Sequence, residues 1–468
     1  MGGNNVTSGT SSGSSVGSGA SGLGVAPPAG QPHGSAVTRL PSGELVLGGV
    51  GLGELSRQSA EVGGDASARI GTPTYVYDVD GIAREARELE DAFEGAPHLV
   101  AYAVKANSAG PIVRALVDEG CGADVVSGAE LLLAMRCGVT PDRLIYNGVA
   151  KRDDELDLAI GVGDIGIRAI NVESVEEIPR IAARAAAQGR VARIAIRINP
   201  GVDAKELDTH SYIATGHDEA KFGVPLSSIP DAVAALDSAG SAVRLVGVTA
   251  HAGSQLTSID AYLASARAVF DTARSLRSRF ALELVDTGGG FGIDYGEGCP
   301  VRPAEFIRAA RVVQREYGLD DLALFCEPGR AMVGAHGVLL AKVIQRKIAA
   351  GDPPRRWMMI DAGMNDLLRP ALYQARHRVV PVTMADGARL LPFRVVGPVC
   401  ESSDDFGVHE LPEGDVAEVA LLDAGAYGYS MASSYNGRPL PAEVFLRGGA
   451  VATIHARRPI TDWVDDRR

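Results

Sequence analysis

Cysteine is scarce in this 468-residue chain: Cys121, Cys137, Cys299, Cys326 and Cys400 are an odd set without Cys-x-x-Cys spacing. That excludes a disulfide frame or a cysteine-held zinc as the organising device, and it suits reduced thiols in a cytoplasm. No metal site is expected. Apolar runs long enough to span a bilayer are missing. Positive charge is in deficit, with a net charge of -13, and no basic run carries interleaved aromatics. Neither a membrane nor a nucleic acid is an expected partner. Large apolar side chains are nearly absent from residue 1 to about 35, a Gly/Ser/Thr-rich stretch. It cannot bury enough surface to offset chain entropy, so a disordered tail is expected there. No basic start precedes an apolar core, so no secretory signal is expected.

From residue 73 the pattern turns regular. Short β-rich runs alternate with Ala/Arg/Glu-rich segments of helical period such as Ala129 to Cys137, Val175 to Gln188, Ile259 to Arg279 and Pro303 to Tyr317. Eight strands are expected, in runs ending near Lys105, Ser127, Asn147, Val172, Asn199, Ala250, Thr287 and Cys326. Strand–helix alternation implies parallel strands with helical crossovers, and eight units in about 250 residues predict an α/β fold, a (β/α)8 TIM-type barrel. From about Gly337 the strands are separated by Gly/Pro/Asp turns, which predicts a mostly antiparallel C-terminal β domain. The expected division is a tail at 1–35, an N-terminal segment at 36–72 packing on the β domain, the barrel at 73–336 and the β domain at 337–468.

Active sites of such barrels lie at the carboxyl ends of the strands. Those ends carry Lys105, Asp124, Asn147, Glu173, Arg197, Asn199, His251, Gly288-Gly289-Gly290 and Glu327-Pro328-Gly329-Arg330. A desolvated lysine there could lose its proton and attack a carbonyl. The triple glycine is either a tight turn or a place where backbone N–H groups approach an anion. His251 either stacks on a flat ring or is a structural histidine, and Ser254 could donate to a phosphate. Glu327 either pairs with Arg330 or keeps a pyridine nitrogen protonated. Lysine, phosphate cradle and ring-nitrogen acid together describe a pyridoxal 5'-phosphate site.

The ordered set Tyr102-Ala103-Val104-Lys105-Ala106-Asn107, His251-Ala252-Gly253-Ser254-Gln255, Gly288-Gly289-Gly290-Phe291-Gly292, Glu327-Pro328-Gly329-Arg330, Asp361 to Tyr373 and Gly397-Pro398-Val399-Cys400-Glu401-Ser402 resembles the diaminopimelate decarboxylase family. That family lies within the alanine-racemase-like, fold-type III pyridoxal-phosphate enzymes, and the resemblance runs from about residue 73 to 446. It implies decarboxylation of meso-2,6-diaminopimelate to L-lysine and carbon dioxide. Lys105 would carry the cofactor covalently and His251 would stack on its ring. Glu327 would hold its nitrogen, and Ser254, Gly288, Gly289, Gly290, Pro328, Gly329 and Arg330 would surround its phosphate. Arg330, Arg369 and Tyr373 would grip the substrate carboxylate that does not react, and Glu401 the amino group beside it. Cys400 would protonate Cα, and Tyr427 would close over the cofactor. In this family the partner chain's Cys400 and Glu401 complete each site, so the resemblance implies a homodimer.

Ala252, Ala129 and Arg376 depart from the family pattern, and nothing in the sequence explains Arg376. Two alternatives remain open. An ornithine- or arginine-type decarboxylase on the same scaffold has no distal carboxylate to hold and should lack Arg369. A silent cofactor-binding homologue should have lost one of Lys105, Glu327, Cys400 or Tyr427.

Overall fold

The computed structural model describes residues 35–53, 55, 70–201, 221–299 and 301–468. The expected disordered tail lies, but for Ser35, outside the described residues.

Besides the short strand Val224–Pro225, which lies parallel against its fifth barrel strand, the first sheet holds eight parallel strands: β1 (His98–Ala103), β2 (Gly122–Val125), β3 (Leu144–Tyr146), β4 (Ala169–Val172), β5 (Ala192–Asn199), β6 (Val243–Thr249), β7 (Leu284–Gly289) and β8 (Ala323–Glu327). Each pairs in parallel with the next, and β8 returns to β1 through Leu324↔His98 and Cys326↔Val100. The expected barrel is therefore closed. Its helices include Gly128–Arg136, Glu177–Ala187, Ile259–Leu276 and Pro303–Glu316, close to the expected spans.

Side chains alternate faces along a strand, so every second residue of a barrel strand points inward. Leu99, Ala101, Ile145, Ala169, Ala195, Leu284 and Phe325 form one buried cluster inside the barrel. Two residues further on from five of them stand Asn147, Asn171, Arg197, Asp286 and Glu327, all buried. The same parity thus changes from apolar to polar at the carboxyl ends. The lower barrel is a packed apolar plug, and the upper barrel is a floor of polar groups.

Strands β7 and β8 slip register between Asp286 and Gly289. Such a bulge lets the glycine run turn beside the end of β8. A Cβ at Gly289 would lie 1.9 Å from the Glu327 carbonyl oxygen. Gly289→Ala is expected to destabilise the fold by about 3 kcal/mol, the upper range for overpacking, and urea unfolding of the variant measures it.

The second sheet is built from β9 (Gly337–Ala349), β10 (Arg355–Ile360), β11 (Leu390–Val396), β12 (Asp405–Pro412), β13 (Glu418–Leu421), β14 (Ala442–Arg447) and β15 (Ala450–His455). Its order is β12-β11-β10-β9, then the strand Thr74–Asp78, then β14-β15, while β13 joins β9 and Val379–Pro381. Only β10–β11 and Thr74–Asp78 with β14 are parallel, so the sheet is mostly antiparallel as expected. One assignment changes: residues 74–78, placed with the barrel by their position in the chain, pair with β9 and β14. Leu45 and Leu47, in a small sheet with Thr38–Arg39 and Val50–Gly51, share a buried cluster with Val338, Leu340, Ala420 and Val444. Among the described residues, no helix is long and apolar enough to cross a membrane.

Candidate active site

Strand β1 runs into a 3-10 turn, Val104–Ala106, which places Lys105 at the rim of the barrel. Its Nζ lies 2.6 Å from Asp124 Oδ2 at the top of β2. Burial works against the ammonium, but Asp124, Tyr427 and Glu327 outweigh it, and the group is held above its ordinary value. The expectation of a lysine freed of its proton by desolvation is corrected here: the acids around it keep it charged.

Around this pair the strand ends form one hydrogen-bonded floor. Asn147 Nδ2 donates to Asp124 Oδ1 at 2.8 Å and to Glu327 Oε1, and Asn171 Nδ2 donates to Asn147 Oδ1 at 2.7 Å. Arg197 Nη1 donates to Glu173 Oε1 at 2.9 Å. Burial holds both Glu327 and Asp286 above the ordinary carboxylate value, and the charge of Asp124 adds to the rise in each. The Oδ2 of Asp286 is buried with no partner among the described residues.

His251 follows β6, its Nδ1 3.9 Å from Glu327 Oε2. Burial, together with Arg197 and Lys105, lowers it well below the ordinary imidazole value, so it is neutral. Gly289 N–H donates to its Nδ1 at 3.2 Å, which leaves Nε2 to carry the ring proton. Gly288 N–H donates to Asp286 Oδ1 at 2.8 Å. Two amides of the glycine run therefore fix the histidine and the acid rather than standing open. The glycines have a packing reason as well: Gly288 and Gly290 have positive φ, and a Cβ on either would strike the backbone oxygens of Ala250 or Gly253.

Glu327 ends β8, and Pro328 O accepts from Ala103 N at 2.9 Å, tying this turn to the approach to Lys105. Gly329 packs closely against Ala103, Ala106 and the Tyr427 hydroxyl, where a Cβ would lie 3.2–3.3 Å from each. Arg330, buried, donates from Nη2 to Ser254 Oγ at 2.9 Å and from Nη1 to Tyr295 Oη at 2.7 Å. Its guanidinium lies 5.0 Å from the centre of the Tyr427 ring. The second sheet's contribution is locked on by Tyr427 N to Ala106 O at 2.7 Å and Asn107 Nδ2 to Gly425 O at 3.0 Å.

The short helix Arg369–Tyr373 brings Arg369, also buried, to the same Tyr295 Oη at 3.0 Å. Its Nη1 also donates to His377 Nε2 at 2.7 Å. Tyr373, at the far end of that helix, adds to the electrostatic environment of Arg330. The Nε of both arginines is buried and unpartnered among the described residues.

Lys105, His251, Ser254, Gly288–Gly290, Glu327–Arg330, Arg369 and Tyr427 thus belong to one connected network. Cys400 and Glu401 do not join it within the chain. Both are exposed; Cys400 N binds Asn436 Oδ1 at 3.1 Å, and Glu401 Oε1 accepts from Tyr435 Oη at 2.7 Å. Arg376 makes an exposed pair with Glu297 at 3.5 Å, an arrangement that contributes little. Four residues of the network had no role in the sequence reading: Asn171, Asp286, Tyr295 and His377. For Asp286 the signal was there, an acid two residues before the glycine run at the carboxyl end of β7.

The donor set fits a pyridoxal cofactor. Three buried carboxylates (Asp124, Asp286 and Glu327) share a floor in which Lys105 answers Asp124 and Arg197 answers Glu173, which leaves acid in surplus. A cationic ring nitrogen would relieve it.

The family model of the pyridoxal-dependent decarboxylases, pyridoxal binding domain, matches residues 79–334. Diaminopimelate decarboxylase of Zymomonas mobilis is 37% identical over 410 residues, 86% of this chain and 94% of that one. The crystal structure of diaminopimelate decarboxylase from Helicobacter pylori complexed with L-lysine matches with a TM-score of 0.77 and 36% identity, covering 85% of this chain and 96% of that one. The M. jannaschii enzyme in co-complex with L-lysine matches with a TM-score of 0.81 and 34% identity, over 93% and 98%. An arginine decarboxylase from Paramecium bursaria Chlorella virus, 19% identical with a TM-score of 0.68, shares the fold alone. Both the matched domain and the relatives' identity over most of their length place this chain in the diaminopimelate decarboxylase family of pyridoxal-dependent decarboxylases.

Proposed function

We propose that this chain decarboxylates meso-2,6-diaminopimelate to L-lysine and carbon dioxide, the last step of lysine biosynthesis, as a cytoplasmic homodimer. The observation that carries the substrate is the pair of buried arginines, Arg330 and Arg369, joined at Tyr295 and each with an unpartnered Nε. Such a pair needs an anion, and a planar carboxylate suits guanidinium donors. Diaminopimelate keeps a carboxylate at its unreacting end, and the product lysine named in the relatives' complexes keeps the same one. Ornithine and arginine have none there.

Lys105, His251, Ser254, Gly288–Gly290, Glu327–Arg330 and Tyr427 would hold the cofactor. When bound, pyridoxal phosphate supplies an electron sink for the bond that breaks. Glu327, whose Oε1 accepts from Asn147, would hold a proton at the ring nitrogen. Lys105 Nζ would provide the covalent attachment, with Asp124 beside it as counter-ion. Arg330, Arg369 and Tyr373 would hold the substrate by its far carboxylate, so that the other carboxylate is the one left to react. Glu401, reaching across from the partner chain, takes the far ammonium, and Cys400 beside it delivers a proton from Sγ to Cα. The exposure of both residues on the single chain favours such sharing.

Carbon dioxide release by purified protein with added pyridoxal phosphate, compared for meso-diaminopimelate, ornithine and arginine, tests the reading. Turnover of diaminopimelate alone is expected. Turnover of ornithine or arginine instead overturns the substrate, and no release from any overturns the enzyme. Arg369→Ala is expected to raise KM for diaminopimelate by about 100-fold, the cost of leaving a buried charge unpaired; an unchanged KM removes Arg369 from the substrate site.

A further inference from the structure

Tyr295 lies in the loop after β7, three residues beyond the Gly288–Gly292 run, and is half-buried. Its hydroxyl oxygen accepts from Arg330 Nη1 at 2.7 Å and from Arg369 Nη1 at 3.0 Å. Its ring lies under both cations, 5.8 Å from the Arg330 guanidinium carbon and 4.9 Å from that of Arg369. Two like charges are thus held together at one phenol, whose oxygen and ring face both offset their repulsion.

One donor is left over in this arrangement. Guanidinium groups only donate, so the two bonds to Tyr295 occupy its oxygen lone pairs and leave its own O–H to be placed. Among the described residues no acceptor for that proton is found. His377 completes the arrangement from the other side. Its Nε2 faces Arg369 Nη1 at 2.7 Å and must accept, so its Nδ1 carries the proton that goes to Leu422 O at 2.9 Å. Burial and Arg369 lower its pKa to about 3, so the ring stays a neutral acceptor and adds no third cation. Tyr295 and His377 together use both protons of Arg369 Nη1. The guanidinium is fixed, with its Nε and Nη2 left for a ligand.

We infer that Tyr295 is a specificity-determining residue of this site: its oxygen clamps Arg330 and Arg369 in one orientation and its O–H is the third donor to the carboxylate they hold. His377 is the positioning residue that sets Arg369 for the same task. The inference rests on the proposed reading that these arginines bind the substrate's far carboxylate, and it adds the group that makes them one receptor. A ligand with a carboxylate at that end meets three converging donors. A ligand without one leaves two desolvated cations unanswered, which is a stronger penalty than a lost contact.

Tyr295→Phe tests this, since it keeps the ring and removes only the hydroxyl. In the holoenzyme, KM for diaminopimelate should rise about 10- to 100-fold, as for hydrogen bonds to charged groups, with kcat and the cofactor absorbance unchanged. Inhibition by L-lysine should weaken in parallel, while inhibition by 1,5-diaminopentane, which lacks the carboxylate, should not move. Added to Arg369→Ala, the change should cost far less than alone. An unchanged KM, or equal weakening of lysine and diaminopentane, overturns the role of Tyr295 even where Arg369→Ala raises KM. If Arg369→Ala itself leaves KM unchanged, the carboxylate reading fails first and takes this one with it.

Discussion

Replacing Lys105 by alanine is expected to lower decarboxylation by at least about three orders of magnitude, as loss of a nucleophile does, and to erase the absorbance band of covalently bound cofactor. Its position is the reason. Lys105 is presented by a single turn at the end of β1, and its partner Asp124 is fixed from the other side by Asn147. The variant also leaves Asp124, Asp286 and Glu327 with one cation fewer, so some loss of thermal stability should accompany it. Lys105→Arg separates the two effects. It keeps a cation beside Asp124 and should recover stability without recovering activity. A covalent band that persists in Lys105→Ala would take the attachment away from this lysine.

Cys400→Ala is expected to lower kcat by about 10²- to 10⁴-fold, the range of a general acid, with cofactor affinity hardly altered. Equal losses in both would mark a structural cysteine instead. The stronger test uses the separation of Cys400 from the Lys105 network in the single chain. If each site draws Lys105 from one chain and Cys400 from the other, mixing the two inactive variants restores activity. After subunit exchange half the dimers are mixed and each holds one intact site, so about one quarter of wild-type activity should return. Mixed dimers without activity would place Cys400 in the same chain's site.

Much of this architecture was legible in the sequence because a barrel strand writes its environment locally. The run from Leu99 to Val104 is apolar for as long as it is buried, and Lys105 follows it because the barrel ends there. The helix from Ile259 and the glycine break after Thr287 were readable for the same reason. Pairing over long distances was not. Nothing within Thr74–Asp78 says that its neighbours are β9 and β14, which lie beyond the whole barrel in the chain. Tyr295 and His377 were hidden differently: each is marked out by the arginines it contacts, and those contacts leave no chemical signature in the sequence. The charge on Lys105 was misread because its desolvation can be inferred from a strand end, whereas the nearness of Asp124 and Glu327 depends on closing the barrel.

Thr74–Asp78 also decides how the chain can be assembled. Because β9 and β14 flank it on either side, the whole barrel is an insertion, threaded between one strand of the second sheet and the rest. A fragment made of residues 337–468 alone would have a vacant slot in mid-sheet, with two open edges ready to pair with a neighbour. During synthesis the early strand must wait, unpaired, while the eight βα units emerge and fold, and its docking then seals the two halves as one unit. Truncation that removes this strand should therefore be felt first at the other end of the chain.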